Sequence, residues 1–309
     1  MASPSGLWTS VSGGIAQSQN IDSIANNIAN ANTVGFKKDE PQFKEYLTAV
    51  ENPPSPAIDI PHTPFKDSDF YHHDGRENAM VNLDNVHTDH TQGAFRMTNA
   101  PFDLAVDGPG FFAVQTPQGI AFTRAGDFKV NAKGLLVTTA GYPVLGKAPD
   151  APESATPGLG QANSKSESRK NPFEMLAANI GRSPASEDSP LKAITVIGEV
   201  PGQKVLVSNE GQIFAGDQLL GTLAIAEFPD RQKLTKTAST LFINSDAGNI
   251  PTLAKQSRVK QGFIESSNVN TVSELVNLIK ANRSFEGHMR AIRIYNDMAG
   301  KEANEVGKL

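Results

Sequence analysis

Histidines and aspartates gather in one stretch of the sequence, and their side chains are the ones that could bind a metal. Imidazole and carboxylate groups are ordinary zinc ligands. The stretch has no firm helical context and no recognised ligand spacing, so we favour a solvated polar loop. Its members are His62, His72, His73, His87 and His90, with Asp74, Asp84 and Asp89 among them. A metal-binding protein that uses the His62–His90 region is the alternative from a different functional class.

No catalytic motif is recognisable elsewhere in the sequence. Gly108-Pro109-Gly110 lacks the Lys-Ser/Thr ending of a phosphate-binding loop and precedes a strand pattern instead of a helix. Neither a Gly-x-Ser-x-Gly elbow nor a His-Glu-x-x-His helix occurs. The complete lack of cysteine excludes thiolate nucleophiles, disulfides and cysteine-based metal sites. We therefore predict a protein that is not an enzyme and needs no cofactor.

The composition favours a protein whose partners are other proteins. The net charge is -5 and no long segment is dominated by Lys or Arg, so neither nucleic acid nor membrane insertion is predicted. No run reaches the roughly eighteen apolar residues of a membrane span. The first residues lack the positive patch and apolar run of a secretory signal. Any export is therefore predicted to proceed without a cleaved signal peptide.

Both ends of the chain show helical periodicity, and these elements would position any interaction surface. Residues at alternating spacings of four and three form a heptad-like stripe at each end. The stripe near the N-terminus comprises Leu7, Val11, Gly14, Ser18, Ile21, Ala25, Ile28 and Asn32; the one near the C-terminus comprises Leu275, Leu278, Asn282, Phe285, Met289, Ile292, Asn296 and Ala299. Each stripe is incomplete by itself, so we predict that the two helices pair.

The central part of the chain changes to the two-residue period of strands. Short apolar runs such as 111–115 and 120–124 are separated by tight turns, which is typical of an antiparallel barrel or sandwich. The predicted fold is α+β, with a discontinuous coiled-coil domain from residues 1–36 and 268–309. Residues 37–92 are predicted to form an extended connection. Residues 93–267 are predicted to form the β-rich domain, with a Pro/Ser-rich insertion at 147–190.

Several motifs resemble the flagellar basal-body rod and hook proteins. The run from Ile24 to Lys37 (IANNIANANTVGFK) is similar to the N-terminal signature of that family. The run from Gln261 to Asn270 (QGFIESSNVN) is similar to its C-terminal signature, and residues 274–286 continue the match. A third block begins at Asn99 (NAPFDLAVDG) and extends through TRAGDF and GYPVLG, which end at residues 128 and 146.

The resemblance implies a structural subunit of the flagellar rod that transmits torque from motor to hook. Its implied partners are copies of itself, other rod subunits and the flagellar export apparatus, and its implied location is the basal body within the periplasm. The segment FKEYL at 43–47 favours the proximal rod, as do Tyr295, Met298, Lys301 and Asn304. The distal rod is the alternative. A chain without cysteine and with marginal terminal helices suits unfolded export.

The family motifs and the two stripes together predict a subunit interface. Apolar side chains would be buried between subunits, and asparagine amides would supply hydrogen bonds across the contact. The predicted interface residues are Ile21, Asn26, Asn27, Ile28, Asn30, Gly35, Phe36, Asn268, Leu275, Leu278, Phe285 and Met289.

Overall fold

The computed structural model describes residues 4–47, 79–147, 191–196, 204–246, 248–254 and 256–306. A helix lies near each end of the chain, α1 (Pro4–Ala29) and α2 (Thr271–Val306), and a short 3-10 helix spans Arg231–Lys233. The strands in chain order are β1 (Asp39–Leu47), β2 (Ala79–Thr88), β3 (Phe95–Met97), β4 (Leu104–Asp107), β5 (Gly110–Thr116), β6 (Gly119–Thr123), β7 (Lys129–Val130), β8 (Leu136–Val137), β9 (Leu145–Lys147), β10 (Lys192–Ala193), β11 (Val205–Val207), β12 (Gln212–Ala215), β13 (Gln218–Leu223), β14 (Ile225–Glu227), β15 (Leu234–Lys236), β16 (Leu241–Asn244), β17 (Thr252–Leu253), β18 (Arg258–Gln261) and β19 (Phe263–Glu265). The fold is α+β, as predicted.

The chain forms two compact units. The helical unit comprises residues 1–29, 39–87 and 270–309, and the β-rich unit comprises residues 30–38 and 88–269. Among the described residues no helix combines the length and apolarity needed to cross a membrane.

In the helical unit, α1 and α2 pack against each other in antiparallel orientation. Gly6 near the start of α1 lies against the ring of Tyr295 near the end of α2, and Gly13 lies against His288. Both contacts place a residue without a side chain opposite an aromatic ring. The helices therefore approach closely where small residues of α1 leave room for large ones of α2.

The face of α2 that contacts α1 differs from the predicted stripe by one residue at every second position. Leu278 and Phe285 are half-buried, as a seam requires, whereas Leu275 and Met289 are exposed. The buried positions of the stripe are Glu274 and Ala281, each one residue before a predicted position. The predicted period is correct, but at alternate positions the buried residue is the one that fits against α1, one place before the predicted one.

Two adjacent glycines in α1 provide a matched test of this packing. A Cβ at Gly13 would lie 2.6 Å from Cε1 of His288, whereas a Cβ at Gly14 would lie 3.8 Å from Cβ of His288. Gly14→Ala should stabilise the helix by up to about 1 kcal/mol, since alanine favours helices over glycine. Gly13→Ala should lose that gain and destabilise by roughly 1–2 kcal/mol through overpacking.

Urea unfolding followed by far-UV circular dichroism measures both effects. His288→Ala in the Gly13→Ala background should recover the loss. Equal stability of the two alanine variants would contradict the observed helix contact.

The β-rich unit is built on β5, which is buried on both faces. Its alternating side chains enter two apolar clusters: Phe111 packs with Phe242, and Phe112 packs with Phe128. Side chains on a strand point alternately to opposite faces. This arrangement explains why the segment reads as a continuous apolar run.

The strands of this unit pair in antiparallel fashion in two larger sheets and three small ones. The six-stranded sheet has the order β15-β16-β6-β5-β14-β17, and the five-stranded sheet has the order β10-β9-β13-β12-β11. The pairs β4–β18, β3–β19 and β7–β8 complete the unit. The pair β3–β19 joins residues that are far apart in sequence. In the chain, β19 is followed by α2.

The segment predicted as an extended connection is more ordered at its ends than the sequence suggested. β1 and β2 pair in a two-stranded sheet, and Lys37 is buried in the β-rich unit. Residues 48–78 lie outside the described residues, and so does most of the insertion at 147–190. The domain boundaries drawn from the sequence remain predictions.

Candidate assembly site

Each terminal helix has an exposed apolar face in addition to the one that packs on its partner. On α2 the exposed face includes Val272, Val276 and Ile279, spaced by four and three residues, so they lie on one side. On α1, Trp8 and Ile15 are exposed and lie two helical turns apart on one side. Exposed apolar stripes of this kind mark protein–protein contacts.

The residues predicted for the interface divide into exposed, half-buried and buried groups. Leu275, Met289 and Asn26 are exposed on the helices. The half-buried ones are Ile21, Ile28, Asn30, Asn268, Leu278 and Phe285. Asn27, Gly35 and Phe36 are buried within their own chain, where they have structural roles instead of an exposed position on the surface. The intersubunit role of the set remains a prediction.

Three segments distant in sequence meet inside the β-rich unit: residues 33–38, 88–94 and 265–268. Together with Arg124, we call them the junction cluster. The first follows α1 in the chain, the second follows β2, and the third precedes α2. Asp89 N–H donates to Lys38 O at 2.8 Å, and Ser266 N–H donates to Ala94 O at 2.9 Å. The segments through which the chain leaves this unit are thus bonded to one another.

A buried carboxylate lies at the centre of the junction cluster. Lys37 Nζ donates to Glu265 Oε1 at 2.6 Å, and Arg124 Nη1 donates to Glu265 Oε2 at 3.2 Å. The exposed fractions of the Lys37, Arg124 and Glu265 side chains are 1 %, 2 % and 0 %, respectively. Gly93 N–H adds a hydrogen bond to Oε1 at 2.9 Å. Two cations therefore share one anion in a water-excluded site.

Burial makes both cations costly to keep charged. Burial lowers the pKa of Lys37, and the attraction of Glu265 opposes that shift. Burial likewise lowers the pKa of Arg124, again opposed by Glu265. Each cation also donates to a backbone carbonyl: Lys37 Nζ to Thr91 O at 2.6 Å, and Arg124 Nη2 to Gly108 O at 2.6 Å. Arg124 Nε has no hydrogen-bond partner among the described residues. The carboxylate is what makes burial of these cations tolerable.

Two asparagine side chains each hydrogen-bond to backbone groups through both sides of the amide, as a paired strand would. Asn268 accepts from Lys38 N–H at 2.8 Å and donates to Asp89 O at 2.8 Å. In the helical unit, Asn27 donates to Asp39 O at 2.8 Å and accepts from Asp39 N–H at 3.0 Å. An amide carries one donor and one acceptor side, as a peptide group does. These contacts explain why asparagine occurs at these two motif positions.

Gly35 and Phe36, the two residues before Lys37, are also packed tightly in the junction cluster. Gly35 has φ of 69°, and a Cβ there would collide with the backbone of Arg124 and Ala125. Its N–H donates to Glu265 O at 2.8 Å. Phe36 is fully buried, with the ammonium of Lys236 3.7 Å from its ring centroid. The run Gly-Phe-Lys of the N-terminal motif is therefore fitted to this unit at each position.

His90 is a buried member of the junction cluster and does not lie in a polar loop. Its ring packs on Phe111 and Phe242 at centroid distances of 5.8 and 5.4 Å. Neither ring nitrogen has a hydrogen-bonding partner of good geometry among the described residues. Burial lowers the pKa of His90 to about 4, and the positive charge of Arg231 adds to the shift.

This environment predicts acid sensitivity. The unfolded chain binds a proton at His90 as the pH falls below 6.5, whereas the folded chain does so only near pH 4. Stability is thus lost progressively over this range, by up to about 3 kcal/mol. His90→Phe keeps the aromatic contacts and should remove that part of the pH dependence. Urea unfolding of both proteins from pH 7 to 4 measures the difference; parallel curves would contradict the assignment.

The described part of the His62–His90 region contains no metal cluster. Across residues 79–90 and the other described ranges, no group of three or more His, Asp or Glu is placed to hold an ion. Both carboxylate oxygens of Asp89 accept hydrogen bonds from Thr91. His62, His72, His73 and Asp74 lie outside the described residues.

Three family models match the chain in the order that the motifs suggested. Residues 7–37 match the flagella basal body rod protein model, and residues 260–306 match the C-terminal model of the flagellar basal body rod FlgEFG proteins. Residues 105–215 match the D1 domain model of the flagellar hook protein FlgE/F/G. The chain belongs to the flagellar basal-body rod protein family.

Individual rod proteins resemble the chain over nearly its whole length. It is 29 % identical to FlgG of Borreliella burgdorferi, over 95 % of this chain and 96 % of the relative. It is 28 % identical to FlgG of Bacillus subtilis, over 96 % and 97 %. FlgF of Mesorhizobium japonicum is 26 % identical, over 93 % and 91 %. As a rod family member, the chain is a structural subunit of the flagellar basal body.

The motifs that resemble the rod family converge on the junction cluster. Lys37 ends the N-terminal motif, Arg124 lies in the TRAGDF block, and Glu265 lies in the C-terminal motif. All three residues lie in the family motifs, but their local sequence assigns none of them a role. The available signal was a charge within an otherwise apolar or strand-like run, which costs free energy unless it is paired.

Proposed function

We propose that this rod subunit assembles axially with copies of itself and other rod subunits through the exposed apolar faces of α1 and α2. One face of each helix is used within the chain, which leaves Trp8, Ile15, Val272, Val276 and Ile279 exposed in the single subunit. These exposed faces are the observation that carries the proposal. Burial of such side chains contributes roughly 1.5–3 kcal/mol each, enough to drive association.

The contact between subunits is heterologous, because a rod grows along its axis. Repetition of a head-to-tail contact with a rise gives an open helix instead of a closed ring. In the assembled rod, α1 and α2 form coiled-coil contacts with those of neighbours, with Leu275 and Met289 as well as the exposed stripes at the interface. The role is structural and not catalytic: the subunit transmits torque from motor to hook.

We place the subunit in the proximal rod, with the distal rod as the alternative. The segment 43–47 and the residues at the end of α2 support this placement through their resemblance to proximal rod proteins. FlgG and FlgF relatives are similar to the chain to comparable degrees. The subunit reaches the rod through the flagellar export apparatus, without cleavage of a signal peptide.

Deletion of the gene tests the function and the position together. We expect cells without the protein to lack rods and motility, and complementation to restore both. A tag on the complementing subunit should locate to the inner end of isolated basal bodies for a proximal position and to the outer end for a distal one. The mass of the subunit recovered from basal bodies should include the N-terminal helix, as export without cleavage requires. Normal rods in the deletion strain would refute the function.

A further inference from the structure

The junction cluster joins the segments next to the two terminal helices through contacts that need both ends of the chain. We propose that residues 265–268 act as a latch: segment 33–38 docks on the β-rich unit only when the C-terminal segment is already in place. The inference rests on the proposed assembly function for its biological meaning, because it concerns when the N-terminal segment becomes fixed.

Three successive contacts tie the N-terminal segment to the latch. Gly35 N–H donates to Glu265 O at 2.8 Å, Lys37 Nζ donates to Glu265 Oε1 at 2.6 Å, and Lys38 N–H donates to Asn268 Oδ1 at 2.8 Å. Lys37 and Glu265 are 228 residues apart in sequence. These contacts can therefore form only when nearly the whole chain is present.

Electrostatics sets the order in which the segments dock. If segment 33–38 docked first, Lys37 would be buried near Arg124 with no carboxylate between them. The two cations repel each other, and the Arg124 charge acts against that of Lys37. Burial of an ion without its partner is strongly unfavourable. With Glu265 already placed against Arg124, the same docking step instead gains an ion pair.

The other contacts of segment 33–38 do not replace the latch. Lys236 donates to Lys37 O at 2.8 Å, and its ammonium lies over the ring of Phe36. Neither contact offers Lys37 a negative charge. Asp89 attracts Lys37 at longer range, but its carboxylate accepts hydrogen bonds from Thr91 at 2.8 and 2.9 Å.

The latch delays fixation of the segment after α1 until the segment before α2 is folded. A subunit that lacks its C-terminal part would keep residues 33–38 undocked. Completion of the chain and fixation of its N-terminal segment become one event.

Two probes on the full-length monomer test the order. The chain has no cysteine, so Asn32→Cys, at an exposed position, carries a dye that reports docking of the adjacent segment. Pulsed hydrogen exchange at the amides of the buried strand β5 reports the β-rich unit. In urea, the dye transition should precede the hydrogen-exchange transition. Glu265→Gln should lower the docking equilibrium constant by about 100-fold to 1,000-fold. It should move the second transition less, because only Arg124 loses its ion pair in the undocked β-rich unit.

Two further variants separate a latch from general support of the fold. Asp246→Asn, which breaks the exposed ion pair with Lys233, should move neither transition. Lys37→Met in the Glu265→Gln background should restore docking at least about tenfold, because the unpaired lysine charge is gone. If Glu265→Gln moves the dye transition no more than the second transition, or if Lys37→Met restores nothing, the latch is overturned.

The experiment is independent of rod assembly, since it uses the isolated subunit. Normal rods in the deletion strain would refute the proposed function and leave the latch intact. A single shared transition would refute the latch and leave the rod function intact.

Discussion

Replacing Glu265 with glutamine is expected to lower the total free energy of unfolding by about 3–5 kcal/mol, more than replacing either of its cationic partners. The three buried side chains carry two positive charges and one negative charge. Loss of Glu265 leaves both cations without a counter-ion. Loss of Lys37 leaves a balanced pair of Arg124 and Glu265.

The order of the variants distinguishes this electrostatic account from simple loss of contacts. Lys37→Met should cost roughly 1–2 kcal/mol, because it removes two hydrogen bonds but keeps the aliphatic stem. The double variant Lys37→Met/Glu265→Gln should be more stable than Glu265→Gln alone. Urea unfolding, summed over all transitions, gives these values. Asp246→Asn serves as the exposed control and should change stability by less than about 1 kcal/mol. A larger loss for Lys37→Met than for Glu265→Gln would reject the account.

Replacing Ile279 with glutamate is expected to abolish rod assembly while leaving the isolated subunit as stable as the wild type. Ile279 is 53 % exposed in the single chain, so a charge there stays in water and costs at most about 0.5 kcal/mol. In the assembled rod the same carboxylate would be buried without a partner, which is strongly unfavourable. Motility of the complemented deletion strain and electron microscopy of its basal bodies measure the effect.

A second substitution on the same helix serves as the control. Ser284 is exposed, and it lies five residues further along, about 140° round the helix from Ile279. Ser284→Glu adds the same charge away from the apolar stripe and should leave rods intact. Rods of normal length with Ile279→Glu would show that this face is not used between subunits.

The acid sensitivity assigned to His90 shows how far a histidine can be from the role that its sequence context suggests. Aspartates and other histidines surround it in sequence, which favours a polar loop or a metal site. In the structure its ring contacts Phe111 and Phe242, which are contributed by β5 and β16. Local sequence gives no sign of those two neighbours, because both belong to strands that join it only in the folded unit.

The sequence by itself determined the α+β class, the helices at both ends, the strand-rich centre and the family. These features depend on local periodicity and on motifs, which are properties of neighbouring residues. Even the spacing of the helical stripes was correct, although Leu275 and Met289 proved exposed. Hydrophobicity fixes the period of a helix face, whereas the contact of Gly13 with His288 depends on the shape of the partner helix.

Only the tertiary structure decided what the motifs do. Lys37, Arg124 and Glu265 are charged residues in three separate motifs, and nothing local indicates that they meet. Their pairing depends on β19 lying against β3 and on the docking of segment 33–38. Burial and long-range pairing are set by the packing of the whole chain, because a charge is tolerated in the interior only where another part of the fold supplies its partner.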